Sequence, residues 1–454
     1  MSNDLQRRVA EGPLTPFQLV AIGVCVCLNM LDGFDILAMS FAASGVKTDW
    51  HLADSLLGYL FSAGLVGMGI GSLAIAPWAD RWGRRPIVLL SVSIAGLGMV
   101  GSAAASGFVP LLVLRVFTGI GIGGTIASVA VIVSEYAPDR WRSVALAIYA
   151  TGYSIGAAIG GTLTAFAVER FGWRSAFAIG GLLSLLLVPV AWRCLPESLE
   201  FLMTRRPPSA LRRVNDLLLA MGQAAVKVLP DSPTGGLDKP RTLTPLALLI
   251  TRTTVLAWFV FFCTMAGFYF IMSWTPRLLT AAGLAANQGL TGGIMLNLGG
   301  IAGCALYAWA ASRASARWLL TVALVATAML IGAFGLAIGN LNAALWTALL
   351  LGMIANGAMA GLYAVGPTLY PTAVRATGMG SAIGIGRLGA ILAPILSGAL
   401  LDRGWTPAHL YGLFAIPYVL AALAMLGIGT REPAGNPTWA TVHDRSSGTA
   451  NHGA

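Results

Sequence analysis

Twelve runs of about 20 mostly apolar residues organise this chain, at roughly 17–41, 54–78, 86–106, 109–134, 142–167, 173–193, 252–275, 289–311, 317–338, 343–368, 376–401 and 406–428. A helix of that length crosses the hydrocarbon core of a bilayer, and a water-soluble fold cannot bury twelve of them. Charge supports this: 10% of the 454 residues are Asp, Glu, Lys or Arg, against about 25% in an ordinary soluble domain. Mean hydropathy is +0.77. A soluble enzyme, a disordered chain and a disulfide scaffold are thereby excluded. Cys25, Cys27, Cys194, Cys263 and Cys304 show neither metal nor disulfide spacing, and they read as small packing residues. The opening MSNDLQRRVAEGPLTP lacks the apolar core and small-residue cleavage site of a secretory signal. The expected fold is an all-α polytopic membrane protein with twelve transmembrane helices in two six-helix bundles.

The breaks between spans are short except for one. Residues 194–251 carry Pro-Glu-Ser, Arg-Arg-Pro-Pro and further Pro-containing turns, and they read as a central cytoplasmic loop with one amphipathic helix. The expected organisation is a cytoplasmic tail over 1–16, a bundle over 17–193, the loop over 194–251, a bundle over 252–428 and a second cytoplasmic tail over 429–454. Lys and Arg fix the orientation. With the N-terminus inside, 21 of the 28 basic residues fall on the cytoplasmic side, five on the other and two inside spans. Both termini are therefore expected in the cytoplasm, and the net charge of +10 needs no nucleic acid to explain it. The halves also match one another. An offset of 233 residues lays Pro138 on Pro371, Arg142 on Arg375 and Gly156 on Gly389, and an offset of 232 lays Arg81 on Arg313 and Arg85 on Arg317. Parallel six-helix repeats with substrate held between them are a transporter architecture.

After the second span the chain reads Ala79-Asp80-Arg81-Trp82-Gly83-Arg84-Arg85-Pro86, with a degenerate copy at Ser312-Arg313-Ala314-Ser315-Ala316-Arg317. This resembles the DRxGRR signature of the major facilitator superfamily, and the likeness extends over the whole chain. Asp80 is positioned to cap a neighbouring helix while the arginines pair with acids across the cytoplasmic seam. The loop arginines Arg142 and Arg375 join Asp80, Arg81, Gly83, Arg84 and Arg85 as gating candidates. Pro196-Glu197-Ser198 and Tyr370-Pro371-Thr372-Ala373-Val374-Arg375-Ala376-Thr377-Gly378 resemble sugar-porter signatures that several branches share. Leu31-Asp32-Gly33-Phe34-Asp35 and Gly386-Arg387-Leu388-Gly389-Ala390-Ile391 together resemble the aromatic acid/proton symporter branch. That resemblance implies uptake of benzoate-like or hydroxybenzoate-like carboxylates with protons in bacteria. It also matches Arg115 to a buried arginine tied to proton coupling, and Glu135 to an acid preceding a Pro-x-x-x-Arg loop.

The residues make their own argument. Of eighteen Asp and Glu, only Asp32 and Asp35 lie deep in a span, where a carboxylate costs about 2.5–3.5 kcal/mol and is a functional candidate by default. At i, i+3 they share a helix face with Asn29, and in a low dielectric two such neighbours do not both ionise readily. One is expected to hold a proton, as a carrier must. Arg387 has no counterpart in the first half, since the 233 offset lands on Ser154. Its guanidinium fork suits a carboxylate substrate or an inter-helix salt bridge. Tyr269 and Trp274 in an aromatic-rich seventh span, with Tyr363 in the tenth, could wall a planar ligand or simply face core and lipid. Asn297 and Asn356 either donate to a substrate oxygen or bond between helices. Gly152, Gly156 and Gly160, spaced by four, permit close helix approach. No nucleotide-binding loop is present, and His51, His409, His443 and His452 fall in loops or the tail, which leaves protonation to carboxylates.

The expected protein is not an enzyme and needs no cofactor or metal. It is a proton-driven symporter of the bacterial inner membrane that imports a small organic anion, working as a monomer by alternating access. Nicotinate-like, muconate-like or sugar substrates and a non-transporting ligand sensor are the alternatives.

Overall fold

A computed structural model describes residues 11–229, 251–370 and 374–428. Twelve helices among them are long and apolar enough to span a membrane: Pro16–Trp50, Asp54–Trp82, Arg84–Ala103, Phe108–Tyr136, Asp139–Phe171, Arg174–Cys194, Arg252–Ala281, Asn287–Ala311, Ala316–Ala337, Leu341–Leu369, Thr377–Asp402 and Pro407–Gly427. They are numbered below as the first to the twelfth span. Several overrun their apolar runs. The first and seventh continue far enough to carry Lys47 and Arg277 inside helix, where the hydropathy pattern had placed them in loops. His409 likewise enters the first turn of the twelfth. The central segment forms two short helices, Leu199–Arg205 and Ala210–Ala220, and the second buries Ala210, Val214 and Leu218 on one face. Residues 1–10, 230–250 and 429–454, with much of the tails and the later part of the loop, lie outside the described residues.

The packing repeats. In the first half the first span lies on the fifth, the second on the fourth, and the third on the sixth; in the other half the seventh lies on the eleventh, the eighth on the tenth, and the ninth on the twelfth. The halves meet where the second span packs on the eleventh and the fifth on the eighth. Glycine makes the tightest of these contacts possible. A methyl carbon at Gly156 would stand 2.0 Å from the Met30 carbonyl oxygen, and one at the repeat-related Gly389 would stand 2.4 Å from that of Phe262. Both positions press a helix against its partner of the same half, the first span and the seventh. The outward faces present Leu73, Leu186, Met329, Leu336 and Leu426, a girdle that suits lipid and not water.

The two ends of the bundle differ. The end holding the Trp82–Arg84 and Tyr136–Asp139 connections carries the arginine-rich loops and is called the basic end below; the other is the far end. At the far end polar bonds tie the halves together. Ser40 Oγ donates to the Ser273 carbonyl at 2.7 Å, two residues separated by the repeat offset of 233, and Ser62 Oγ donates to the Ile391 carbonyl at 2.6 Å.

Candidate substrate and coupling site

The first span places Asp32 and Asp35 at mid-length, both buried. Their surroundings separate them. Asp35 is clamped by Arg115 of the fourth span in a two-pronged pair, Nη1 to Oδ1 at 2.7 Å and Nη2 to Oδ2 at 2.6 Å. The Arg115 guanidinium lies over the Phe177 ring, 5.4 Å from its centroid. Asp32 has no such clamp, and its Oδ1 is buried without a protein partner. Across the seam Asp32 feels the charge of Arg387 on the eleventh span. Asn29 is spent on the helix pair: its Nδ2 donates to the Tyr149 carbonyl of the fifth span at 2.6 Å.

Arg387 sits near the middle of its helix and is half-buried. Its Nη1 donates to the Tyr269 hydroxyl at 3.1 Å, and the guanidinium carbon stands 5.9 Å from the centre of the Tyr269 ring. Tyr363 interacts with the same cation. Tyr153 of the fifth span also interacts with Asp32, Arg387 and Tyr269. The result is one cation held by Tyr269 in the second half and one unclamped acid in the first, close enough to interact across the seam. A carboxylate entering the fork would displace the attraction Arg387 otherwise directs at Asp32, and a planar ring would find tyrosine faces.

The other candidates lie elsewhere. Trp274 is fully buried on the far-end side of the site, edge-on to Phe61 of the second span at 5.1 Å. It forms part of a plug between the halves. Asn356 Nδ2 donates to its own helix at Gly352, as Asn297 Nδ2 does at Gly293, but Asn297 leaves its Oδ1 buried and unpartnered.

Glu135 belongs to the basic end. Its carboxylate binds Arg84 at 2.6 Å and the Ser198 hydroxyl at 2.9 Å. Glu197 of the Pro-Glu-Ser segment accepts from the backbone N–H of Arg84 at 2.7 Å and of Arg85 at 3.2 Å, capping the third span. The cap on this helix therefore comes from Glu197. Asp80 is 71% exposed and touches Arg84 only at 4.0 Å. Gly83 has φ +104°, and a methyl carbon there would lie 2.4 Å from Glu197 Oε2. Only glycine lets the carboxylate reach the helix end. Arg85 donates to the Trp192 carbonyl, Arg142 Nε donates to that of Ser134, and Arg375 opens its helix exposed. Arg81 is exposed in the last turn of Ala76–Trp82. These bonds brace the first half internally.

At the far end the bracing crosses the halves. The second span begins after Ala53, which offers no capping side chain, and Asp402 at the end of the eleventh supplies it, accepting from Asp54 N at 2.8 Å and Ser55 N at 3.0 Å. The Asp54 carboxylate in turn holds Lys47 at 2.5 Å and Arg277 at 3.5 Å. Loss of an N-cap costs about 1 kcal/mol, so Asp402→Ala is expected to favour far-end opening roughly fivefold. Labelling of a cysteine placed at Ser62, in a background without the native cysteines, by an impermeant thiol reagent should accelerate accordingly. An unchanged rate would remove Asp402 from the closure.

The model of the Major Facilitator Superfamily matches residues 24–394. This chain belongs to that superfamily. As a member it is a multi-pass membrane transporter and not an enzyme. The "Gallate transporter" of Pseudomonas putida is 31% identical over 433 residues, covering 94% of this chain and 95% of the relative. The "4-hydroxybenzoate transporter PcaK" of Pseudomonas aeruginosa is 31% identical over 427 residues, covering 93% and 95%. In fold, the partially occluded inward-open xylose transporter XylE of Escherichia coli superposes with a TM-score of 0.73 at 17% identity, covering 91% of this chain and 98% of that one. Within this superfamily member, sequence reasoning passed over Tyr153, Glu197 as a cap, and the Asp54–Asp402 closure. A signal for Tyr153 existed: the repeat offset carries Arg387 onto Ser154, its immediate neighbour.

Proposed function

We propose that this transporter imports an aromatic carboxylate together with protons, with Arg387 holding the anion and Asp32 carrying the proton. The observation that carries the reading is an Arg387 bonded to Tyr269 across the seam from Asp32, whose Oδ1 is buried without a partner. When the carboxylate occupies Arg387, the charges of cation and substrate cancel, and Asp32 is most stable as the neutral acid. Once the substrate has left, Asp32 is free to lose its proton and take over the attraction of Arg387. Anion and proton thus bind and leave together. The transport of aromatic acids by the gallate and 4-hydroxybenzoate relatives agrees with this.

The orientation proposed puts the basic end and both termini in the cytoplasm of a bacterial inner membrane. The closed far end then faces outward. Rocking of the halves, with the far-end bonds breaking as the basic end closes, supplies alternating access. All the residues invoked belong to a single chain, so a monomer suffices, and the proton gradient replaces any cofactor.

Arg387 tests the anion half of the proposal. Arg387→Lys keeps the charge and loses the fork, and Arg387→Ala loses both. A charged hydrogen bond contributes about 1.5–3 kcal/mol, so affinity for a benzoate- or hydroxybenzoate-like acid should fall roughly tenfold to a hundredfold in the alanine variant, and less in the lysine. Calorimetric or thermal-shift titration of purified protein with aromatic acids, sugars and amines measures this. An unchanged dissociation constant in Arg387→Ala, or a preference for sugars or amines, would overturn it.

A further inference from the structure

Behind Asp32, on the side away from the seam, the first half holds a cavity of about 20 Å³ lined by Asn29, Asp32, Thr125, Tyr149 and Ser184 among apolar side chains of the first, third and fourth spans. That is room for one water. Two of the lining hydroxyls have committed their own protons. Thr125 Oγ1 donates to the Gly121 carbonyl at 3.0 Å and Ser184 Oγ to that of Gly180 at 2.8 Å, which leaves their lone pairs free. Asn29 Nδ2 donates to the Tyr149 carbonyl. Asp32 Oδ1 is buried and unpartnered. Free acceptor lone pairs beside Asp32 suit a donor: water, or hydronium with its three protons. On the third span Ser91 lies one position beyond the lining residue Val92 toward the basic end, and on the fourth Ser128 lies between the lining residues Ile126 and Val129; both hydroxyls are buried without partners. About two turns beyond Ser128 lies Glu135, whose Oε2 is likewise unpartnered.

We propose that this cavity is a hydration site through which Asp32 exchanges its proton from inside the first half, so that proton and substrate reach Asp32 from opposite sides. The inference rests on the proton-carrier reading above. Neutral Asp32 gives its proton to the cavity water, forming hydronium and a carboxylate. The hydronium passes the proton on to water along the Ser128, Ser91 and Glu135 line, and the carboxylate turns to Arg387. The groups facing Asp32 are Asp35 on its own helix, Tyr149 and Tyr153 from the fifth span, Tyr269 from the seventh, Tyr363 from the tenth and Arg387 from the eleventh. None of them needs to change protonation state for the step. The route keeps the proton off the path of the departing anion, which would otherwise recapture it.

The test separates exchange from accumulation. Thr125→Leu fills the cavity with apolar atoms, Thr125→Val removes the hydroxyl at nearly constant shape, and Ser184→Ala removes the other acceptor. In proteoliposomes, equilibrium exchange of a labelled hydroxybenzoate needs only rocking with the proton retained, whereas accumulation driven by a pH gradient needs proton release. Thr125→Leu is expected to exchange like the wild type and to accumulate no better than Asp32→Asn, with Thr125→Val and Ser184→Ala between. Folded Thr125→Leu that accumulates at the wild-type level overturns the route. If that variant does not fold, equal loss of exchange and accumulation in the two milder variants overturns it as well, assigning the cavity to packing alone. Wild-type uptake indifferent to the gradient brings down the carrier reading and the route together, while a coupled wild type with an unaffected Thr125→Leu brings down the route only.

Discussion

Asp32→Asn is expected to abolish substrate accumulation driven by a pH gradient while leaving the protein folded and able to bind an aromatic acid. The amide matches the acid in shape and cannot release a proton. It leaves Arg387 with its Tyr269 bond and frees it from the competing carboxylate. Affinity for the anion should therefore hold or rise, even as uptake against a gradient disappears. In the wild type, transporter-dependent uptake should increase as external pH falls from about 8 to 6, because the neutral acid at Asp32 accompanies the loaded anion. The driving force adds a constraint. A lone anion entering a negative interior works against about 2.3 kcal/mol per 100 mV, so accumulation is expected to need at least one proton per anion. Normal accumulation by Asp32→Asn across this range would remove Asp32 from the carrier role.

Asp35→Asn should instead act on stability. Arg115 and Asp35 are both nearly inaccessible, 2% and 3% exposed as side chains, and joined by two bonds. Removing one partner strands a buried charge at a cost of about 3–5 kcal/mol, whereas replacing both with apolar residues of similar size can be nearly neutral. Asp35→Asn and Arg115→Met alone are expected to lower the melting temperature of detergent-purified protein markedly, and Asp35→Leu/Arg115→Met to recover most of it. A double variant less stable than either single would contradict a closed structural pair and return Asp35 to the proton path.

The difference in surroundings between the two acids was hidden in the sequence. Spacing put Asp32 and Asp35 on one helix face, but which would meet Arg115 depended on how the fourth span crosses the first. No periodicity records that angle. The spans, their number and their pairing into repeats were legible because bilayer thickness imposes a length and a composition on every helix. Arg387 was legible for the same reason: a charge in the middle of an apolar run is conspicuous. Tyr153 was not, since a tyrosine in a span is ordinary and only the fold brings it across from Arg387. The Asp402 cap joins residues about 350 apart and is carried by no local pattern. At the basic end, the sequence signalled that Asp80 and the arginines formed a unit. The turn at Gly83 assigned the capping role to Glu197, more than a hundred residues downstream.

In the proposed cycle carboxylate and proton move as one through Arg387 and Asp32. Proteoliposomes containing the purified protein and an entrapped pH dye, with no imposed gradients, test it most directly when an aromatic acid is added outside. Liposomes bearing Asp32→Asn report the acid's own permeation as the baseline. The account predicts lumenal acidification above that baseline in the wild type, in step with uptake of labelled substrate and absent in Arg387→Ala. Substrate entry by the wild type with no proton movement beyond the Asp32→Asn baseline would contradict it.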